Sequence, residues 1–236
     1  MKIGILQCGH PQDEIKAKHG DYAAMFARLL AGNDFQFETW DVVDLDFPSS
    51  IFDADGWLLS GSKHGAYDGL PFIAPLEEFV RNAYAAEVPL VGICFGHQLI
   101  AQALGGRVEK FRGGWSVGRN LYDFDGEGAL ALNAWHQDQV VEKPKDAECL
   151  AGNDFCQNAA LIYGNRALTV QAHPEFTNEI IDDMIRLRRG LATLPSEILD
   201  AAAGKLGQMP DNAVLGRRIA DFFLAHSKPV SKVAHG

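Results

Sequence analysis

The 236-residue chain lacks most of the features that mark secreted, membrane-bound or nucleic-acid-binding proteins. Its four cysteines form no Cys-x-x-Cys pair, and we interpret them as the reduced thiols of a cytoplasmic protein. No apolar run is long enough to span a bilayer, and the N-terminus has no signal-peptide pattern. Lys and Arg number 21 against 31 Asp and Glu, and no basic stripe suggests a nucleic-acid partner. The histidines show no metal-binding spacing, so we expect no metal and no cofactor.

What is present is an ordinary globular composition, 47% hydrophobic and 22% charged, without repeats or low-complexity segments. In the first half, strands alternate with helices, which predicts an α/β protein with a mostly parallel open sheet flanked by helices. A polar stretch, Cys8–Lys18, is expected to be a loop, and Asp21 to cap the first helix. The predicted strands are Lys2–Gln7, Phe35–Val43, Trp57–Leu59 and Pro89–Ile93, and a second helix buries Leu76, Phe79, Val80 and Ala83.

After Gly106 the pattern changes to short strands, which predict a small antiparallel addition to the sheet. A last buried strand follows, and three helices form a C-terminal tail whose final ten residues are expected to be loose. The short strands are Val108–Phe111, Ser116–Phe124, Ala129–Leu132, Ala134–Val141, Cys149–Phe155 and Ala159–Tyr163; the last strand is Ala167–Gln171; the helices span 178–190, 196–206 and 212–225.

The stretch from Val88 to Gly106 carries the strongest functional signal. A buried strand runs into Gly-Ile-Cys-Phe-Gly at 92–96, and helical spacing begins at His97. This is the layout of a nucleophile elbow, in which a side chain is held on a sharp strand-to-helix turn. The N-terminus of the following helix favours the Cys94 thiolate, and the N–H of Phe95 faces the developing oxyanion. Taken alone, the same pattern also fits a structural buried cysteine.

A cysteine nucleophile needs a base, and the base needs a group that orients it. His173 and Glu175 fit these two roles, since they flank Pro174 in an extended segment. The turn after the third strand, Ser60-Gly61-Ser62, should lie beside them, because parallel strands present their carboxyl ends at one edge of a sheet.

The two motifs Gly-Ile-Cys-Phe-Gly-His-Gln at 92–98 and His-Pro-Glu at 173–175 together resemble those of class I glutamine amidotransferases. The resemblance covers roughly residues 1–190 and implies a flavodoxin-like glutaminase domain there, with 191–236 as a helical extension packed on it. It also implies hydrolysis of the γ-amide of glutamine by a Cys94-His173-Glu175 triad.

Further site residues follow only from that resemblance. Ser62, after Gly61, lies where the family supplies the second oxyanion-hole N–H, although glycine is common there. Gln98 resembles a substrate-holding glutamine, and Trp115 lies in a glycine-containing segment that often flanks the substrate. His136, Gln137 and Asp138 resemble a segment of GMP synthase amidotransferase domains near the substrate's α-amino and α-carboxylate groups. Outside the resemblance, His136 is equally explained as an ordinary surface strand histidine. A solvated helix residue is the less favoured alternative for Gln98.

Two functions remain open. No synthase domain is recognisable, and the loop Gly-Ser-Lys-His-Gly-Ala-Tyr-Asp at 61–68 is similar to that of plant γ-glutamyl peptidases. This favours a stand-alone hydrolase of a small γ-glutamyl substrate. The alternative is a glutaminase subunit that delivers ammonia to a separate synthase partner. An α/β-hydrolase is disfavoured because its acid precedes its histidine, and a non-enzymatic binding protein because the triad residues are all present.

Overall fold

The computed structural model describes residues 1–126, 128–191 and 194–226. In the first half, strands and helices alternate as the sequence predicts. The elements are β1 (Lys2–Leu6), α1 (Asp13–His19), α2 (Tyr22–Leu29), β2 (Gln36–Trp40), β3 (Gly56–Leu59), α3 (Ile73–Ala85), β4 (Leu90–Ile93) and α4 (Phe95–Ala103).

In the described residues of the second half, seven strands are followed by three helices. They are β5 (Arg107–Lys110), β6 (Ser116–Phe124), β7 (Gly128–His136), β8 (Asp138–Glu142), β9 (Glu148–Gly152), β10 (Ala160–Tyr163), β11 (Ala167–Val170), α5 (Asn178–Arg188), α6 (Ser196–Ala203) and α7 (Asn212–Leu224).

Nine of these strands form one mixed sheet in the order β2-β1-β3-β4-β11-β10-β9-β6-β7. The first five are parallel, the other four continue the sheet in antiparallel pairing, and β5 and β8 form a separate antiparallel pair. This confirms the predicted fold class. Because β4 lies between β3 and β11 and runs parallel to both, the residues that follow these three strands meet at one edge of the sheet.

The core lies on both faces of the sheet, which explains the continuous apolar runs of the central strands. Along β11, Leu168 and Val170 point into one buried cluster and Ala167 into the other. The first cluster includes side chains of α2, α5 and α7, and the second includes those of α3 and α4. Odd-numbered positions of β11 therefore face the side of the sheet that α4 covers.

Several local sequence predictions are wrong. The segment expected to be a loop, Cys8–Lys18, contains α1, which has acidic residues in its first turn, basic ones in its last and a single buried anchor, Ile15. The predicted break at Asn133 does not exist, since β7 runs unbroken to His136 and pairs along its whole length with β6. The break lies at Gln137, so the predicted strand Ala134–Val141 is divided between β7 and β8, which belong to different sheets. The buried Asn133 side chain donates to Phe176 O (2.9 Å), so this asparagine supports the adjoining turn instead of ending the strand.

The C-terminal helices pack on the same core as the sheet. In α7, Leu215, Ile219 and Phe223 belong to the buried cluster that also contains Ile3 and Ile5 of β1. The division at residue 190 stays a prediction, and the final ten residues lie outside the described part of the chain. No helix in the described residues has both the length and the apolarity needed to cross a membrane.

Candidate active site

Cys94 occupies a strained turn between β4 and α4. Its φ of 52° and ψ of −102° lie outside the regions that non-glycine residues prefer. The turn is held from both sides, because Cys94 N–H donates to Val170 O (2.8 Å) and Gly96 N–H donates to Ser60 O (3.1 Å). A Cβ on Gly92 would lie 2.6 Å from the backbone of Gly96, and one on Gly96 would lie 2.5 Å from Leu59 O. Both glycines of the motif are therefore sterically required.

His173 and Glu175 form a buried pair beside this turn. Nδ1 of His173 lies 2.6 Å from Oε1 of Glu175, and Cys94 is close enough to the imidazole for its charge to raise the pKa of His173. Burial by itself lowers the pKa of His173, but the charges of Glu175 and then of Cys94 outweigh it and raise this pKa well above its ordinary value. The three residues that the sequence predicts as a triad thus lie together, in the order thiol, imidazole and carboxylate.

The other cysteines do not offer the same chemistry. Burial raises the pKa of both Cys8 and Cys156 to about 12, so that each remains a neutral thiol near pH 7. Cys149 is exposed, and its thiol hydrogen-bonds to backbone carbonyls of Ala151 and Gln157. Cys94 differs from these three cysteines because it lies beside the imidazole of His173.

The histidine is fixed on its other sides by packing and by the backbone. Its ring stacks on Phe176 with centroids 4.1 Å apart and planes 2° from parallel. The backbone N–H of His173 donates to Asn133 O (2.7 Å), and the Asn133 side chain donates to the carbonyl of Phe176. Sequence reasoning missed this asparagine because Asn inside a run of strand residues usually signals a turn.

The predicted oxyanion-hole residues lie close to the pair. Phe95 is the first residue of α4, so its N–H has no carbonyl one turn earlier in the helix to bind. Gly61 is so near the histidine that an added Cβ would lie 2.8 Å from His173 Cε1. Ser62 follows Gly61 directly, and its Oγ accepts a hydrogen bond from His64 N–H (3.2 Å). Whether the Ser62 N–H points at the oxyanion stays a prediction.

Gln98 is almost fully buried and belongs to a chain of hydrogen bonds. Its Nε2 donates to Asp138 O (2.9 Å) and to Oε1 of Gln171 (3.1 Å). Nε2 of Gln171 in turn lies 3.6 Å from Cys94 Sγ. The solvated-helix interpretation of Gln98 is therefore wrong. Gln171 was missed, although a signal exists: Thr169 and Gln171 are polar at alternate positions in an otherwise apolar run, which predicts one face for both.

The remaining predicted residues are spread around this centre. His136 is buried near His173, so its interpretation as a surface strand histidine is wrong. Burial lowers its pKa to about 3, which makes it a poor base. Gln137 donates to Phe111 O (3.3 Å), so its amide nitrogen is engaged away from the thiol. Asp138 Oδ2 accepts from Tyr67 Oη (3.0 Å). Trp115 is half-buried and packs against the core cluster that includes Cys94. Among the described residues, no group of three or more His, Cys, Asp or Glu could hold a metal.

An open α/β sheet thus brings together a cysteine on a glycine-flanked elbow and a His-Glu pair at the end of the neighbouring strand. The sequence model of class I glutamine amidotransferases matches residues 24–187, and the chain belongs to this family. The crystal structure of a glutamine amidotransferase from Methylobacillus flagellatus has the same fold, with a TM-score of 0.75 at 22% identity over 96% of this chain and 92% of that one.

Two curated relatives represent different activities within the family. Gamma-glutamyl peptidase 3 of Arabidopsis thaliana is 26% identical, over 89% of this chain and 91% of its own length. The glutamine-hydrolyzing GMP synthase subunit of Halobacterium salinarum is 36% identical, over 66% of this chain and 85% of its own length.

Proposed function

We propose that the protein is a cysteine-dependent hydrolase of γ-glutamyl amide bonds that works through a γ-glutamyl thioester. The observation that carries the proposal is the buried arrangement of Cys94 on its elbow beside the paired His173 and Glu175, with 2.6 Å between imidazole and carboxylate. A compartment that keeps the cysteines reduced, such as the cytoplasm, suits such a site, and all four cysteines are free thiols.

In the proposed reaction, the proton of the Cys94 thiol passes to His173, and Sγ attacks the γ-carbonyl carbon, so that the carbonyl oxygen becomes an oxyanion. The N–H groups of Phe95 and Ser62 stabilise that oxyanion. His173 gives a proton to the leaving nitrogen, so that the amine or ammonia departs and the thioester remains. Water, deprotonated by His173, then adds to the thioester carbonyl and releases glutamate and the thiol. Glu175 keeps the imidazole in the required orientation throughout.

The γ-glutamyl half of the substrate meets polar groups that suit an amino acid. Both N–H bonds of the Gln98 amide are used within the protein, which leaves its Oε1 as the atom that can accept from an α-ammonium group. Buried groups of this kind reject analogues that lack the matching donor, because the protein group is then left unpaired. We assign Gly61, His136, Gln137 and Asp138 to the walls of this subsite.

The leaving-group side is assigned to Trp115 and to the loop at 63–72. The loop is held in place, since Tyr67 donates to Asp138 and Gln102 Nε2 donates to Ala66 O (2.7 Å). Tyr67 is nevertheless 45% exposed, so the loop presents an aromatic, partly open wall. Such a wall accommodates a leaving group larger than ammonia, which favours γ-glutamyl peptides or amines, and the similarity to a gamma-glutamyl peptidase points the same way.

The second candidate is a glutaminase subunit that passes ammonia to a synthase partner. The observation that favours it is the similarity to the GMP synthase subunit of Halobacterium salinarum. The two candidates differ in what they turn over without a partner, so they are separated by kinetics.

The test is glutamate release by the purified protein from glutamine, γ-glutamyl amines and glutathione S-conjugates. We expect at least one substituted γ-glutamyl amide to be turned over by the isolated chain, Cys94→Ala to be inactive and Cys156→Ala to retain activity. Turnover restricted to glutamine, and only with a synthase present, would replace the first candidate by the second. Turnover by Cys94→Ala would refute both.

A further inference from the structure

Gln171 is a buried side chain outside the triad that contacts the sulfur of Cys94. It follows β11 directly and is fully buried, so water cannot take the place of its amide. Its Nε2 lies 3.6 Å from Cys94 Sγ, within the range of a hydrogen bond to sulfur. The question is whether this amide presents a donor to the sulfur or only fills space.

The hydrogen bonds around the amide fix its orientation. The backbone carbonyl of Asp138 can only accept, so the end of the Gln98 amide that lies 2.9 Å from it must be the NH₂ group. That same NH₂ group lies 3.1 Å from Gln171, whose nearer atom must therefore be its oxygen. It follows that Gln171 turns its own NH₂ group toward Cys94. The Asp138 carbonyl determines this orientation, because it fixes the Gln98 amide, which in turn fixes the Gln171 amide.

We propose that Gln171 is a positioning residue, which donates a hydrogen bond to Cys94 Sγ and is itself aligned by Gln98 and the Asp138 carbonyl. The inference rests on the proposed function only in taking Cys94 as the nucleophile. A donated hydrogen bond restricts the direction in which the sulfur points and favours its charged form, since hydrogen bonds to an ion stabilise the ion. Gln98 then has two roles: its NH₂ group aligns Gln171, and its Oε1 is left to bind the substrate.

A purely structural role for Gln171 predicts something different. Loss of buried amide hydrogen bonds would lower stability but would leave the ionisation of Cys94 unchanged. Gln7 provides a matched comparison, because it is a buried glutamine whose amide nitrogen binds Asp41 and His10 and whose amide oxygen accepts from Ala23 N–H. None of these partners is Cys94 or His173.

The experiment measures the rate at which iodoacetamide alkylates Cys94 as a function of pH, read by peptide mass spectrometry in a Cys149→Ser background. We expect Gln171→Met to slow alkylation at pH 7 by about tenfold and to move the pH profile upward. In turnover assays the same variant should lose kcat with little change in KM. Gln7→Met should lower the urea midpoint but keep the parental alkylation profile.

Gln98→Met tests the alignment separately, because it leaves the Gln171 donor in place but unfixed, and we expect an intermediate upward shift. If Gln171→Met does not fold, Gln171→Asn, which withdraws the amide by one methylene, takes its place with the same expected shift. A parental alkylation profile in the folded Gln171 variant overturns the inference. Full turnover by Cys94→Ala would instead refute the proposed function, so the two failures are distinguishable.

Discussion

Gly61→Ala should disable the site without any change to the triad residues themselves. An added Cβ would lie 2.8 Å from Cε1 of His173, about 0.7 Å inside the ~3.5 Å at which carbon atoms normally make contact. The ring cannot easily retreat, because its face is stacked on Phe176 at 4.1 Å and its Nδ1 is bound to Glu175 at 2.6 Å. Displacements of this size at a catalytic group cost up to about a hundredfold in rate.

The assay is kcat on the best substrate of the panel, together with the urea midpoint. We expect kcat to fall by about ten- to a hundredfold, while unfolding remains a single cooperative transition. The control is Gly207→Ala, because no heavy atom lies within 4 Å of the position its Cβ would take. A Gly61→Ala enzyme with kcat within about twofold of the parent would refute the argument that this glycine is needed to admit the histidine.

The remaining predictions concern the triad and two neutral histidines. His173→Asn should lower kcat by about a thousandfold or more. Glu175→Gln should lower kcat by less, because part of the orientation of the imidazole survives. Equal losses of kcat in the two variants would contradict these roles. Burial lowers the pKa of His97 and of His136 from 6.5 to about 3, so between these values the unfolded chain binds more protons than the native one. Stability should therefore fall as pH drops through that window, by about 1.4 kcal/mol per pH unit for each histidine. Urea midpoints that stay level from pH 6.5 to 4 would contradict this.

Much of the fold and of the candidate site could be predicted because local signals agreed with the final packing. The central strands are apolar on both faces, so they stood out as short buried runs bounded by glycine and proline. The elbow was visible because the backbone at Cys94 needs small neighbours, and Gly92 and Gly96 are the residues whose Cβ atoms would collide. His173 was recognisable because proline follows it directly.

The features that were missed depend on contacts between distant parts of the chain. Helix α1 has a single buried side chain, so it carries no hydrophobic periodicity, and its end is held by Lys18 and His19 binding Asp183 of α5. Asn133 resembles a turn signal locally, but its buried amide nitrogen donates to the carbonyl of Phe176, 43 residues further along the chain. The Gln98–Gln171 contact similarly links helix α4 to the strand end that precedes the histidine.

A diazoketone analogue of glutamine tests whether Cys94 is the nucleophile, because peptide mass spectrometry identifies the residue that the reagent modifies. Cys94 is the cysteine with an imidazole partner, whereas the pKa values of Cys8 and Cys156 are raised to about 12. We predict one adduct per chain, located on Cys94, formed in step with loss of turnover and prevented by substrate. An adduct on Cys8, Cys149 or Cys156 that abolishes activity while Cys94 stays unmodified would contradict the account.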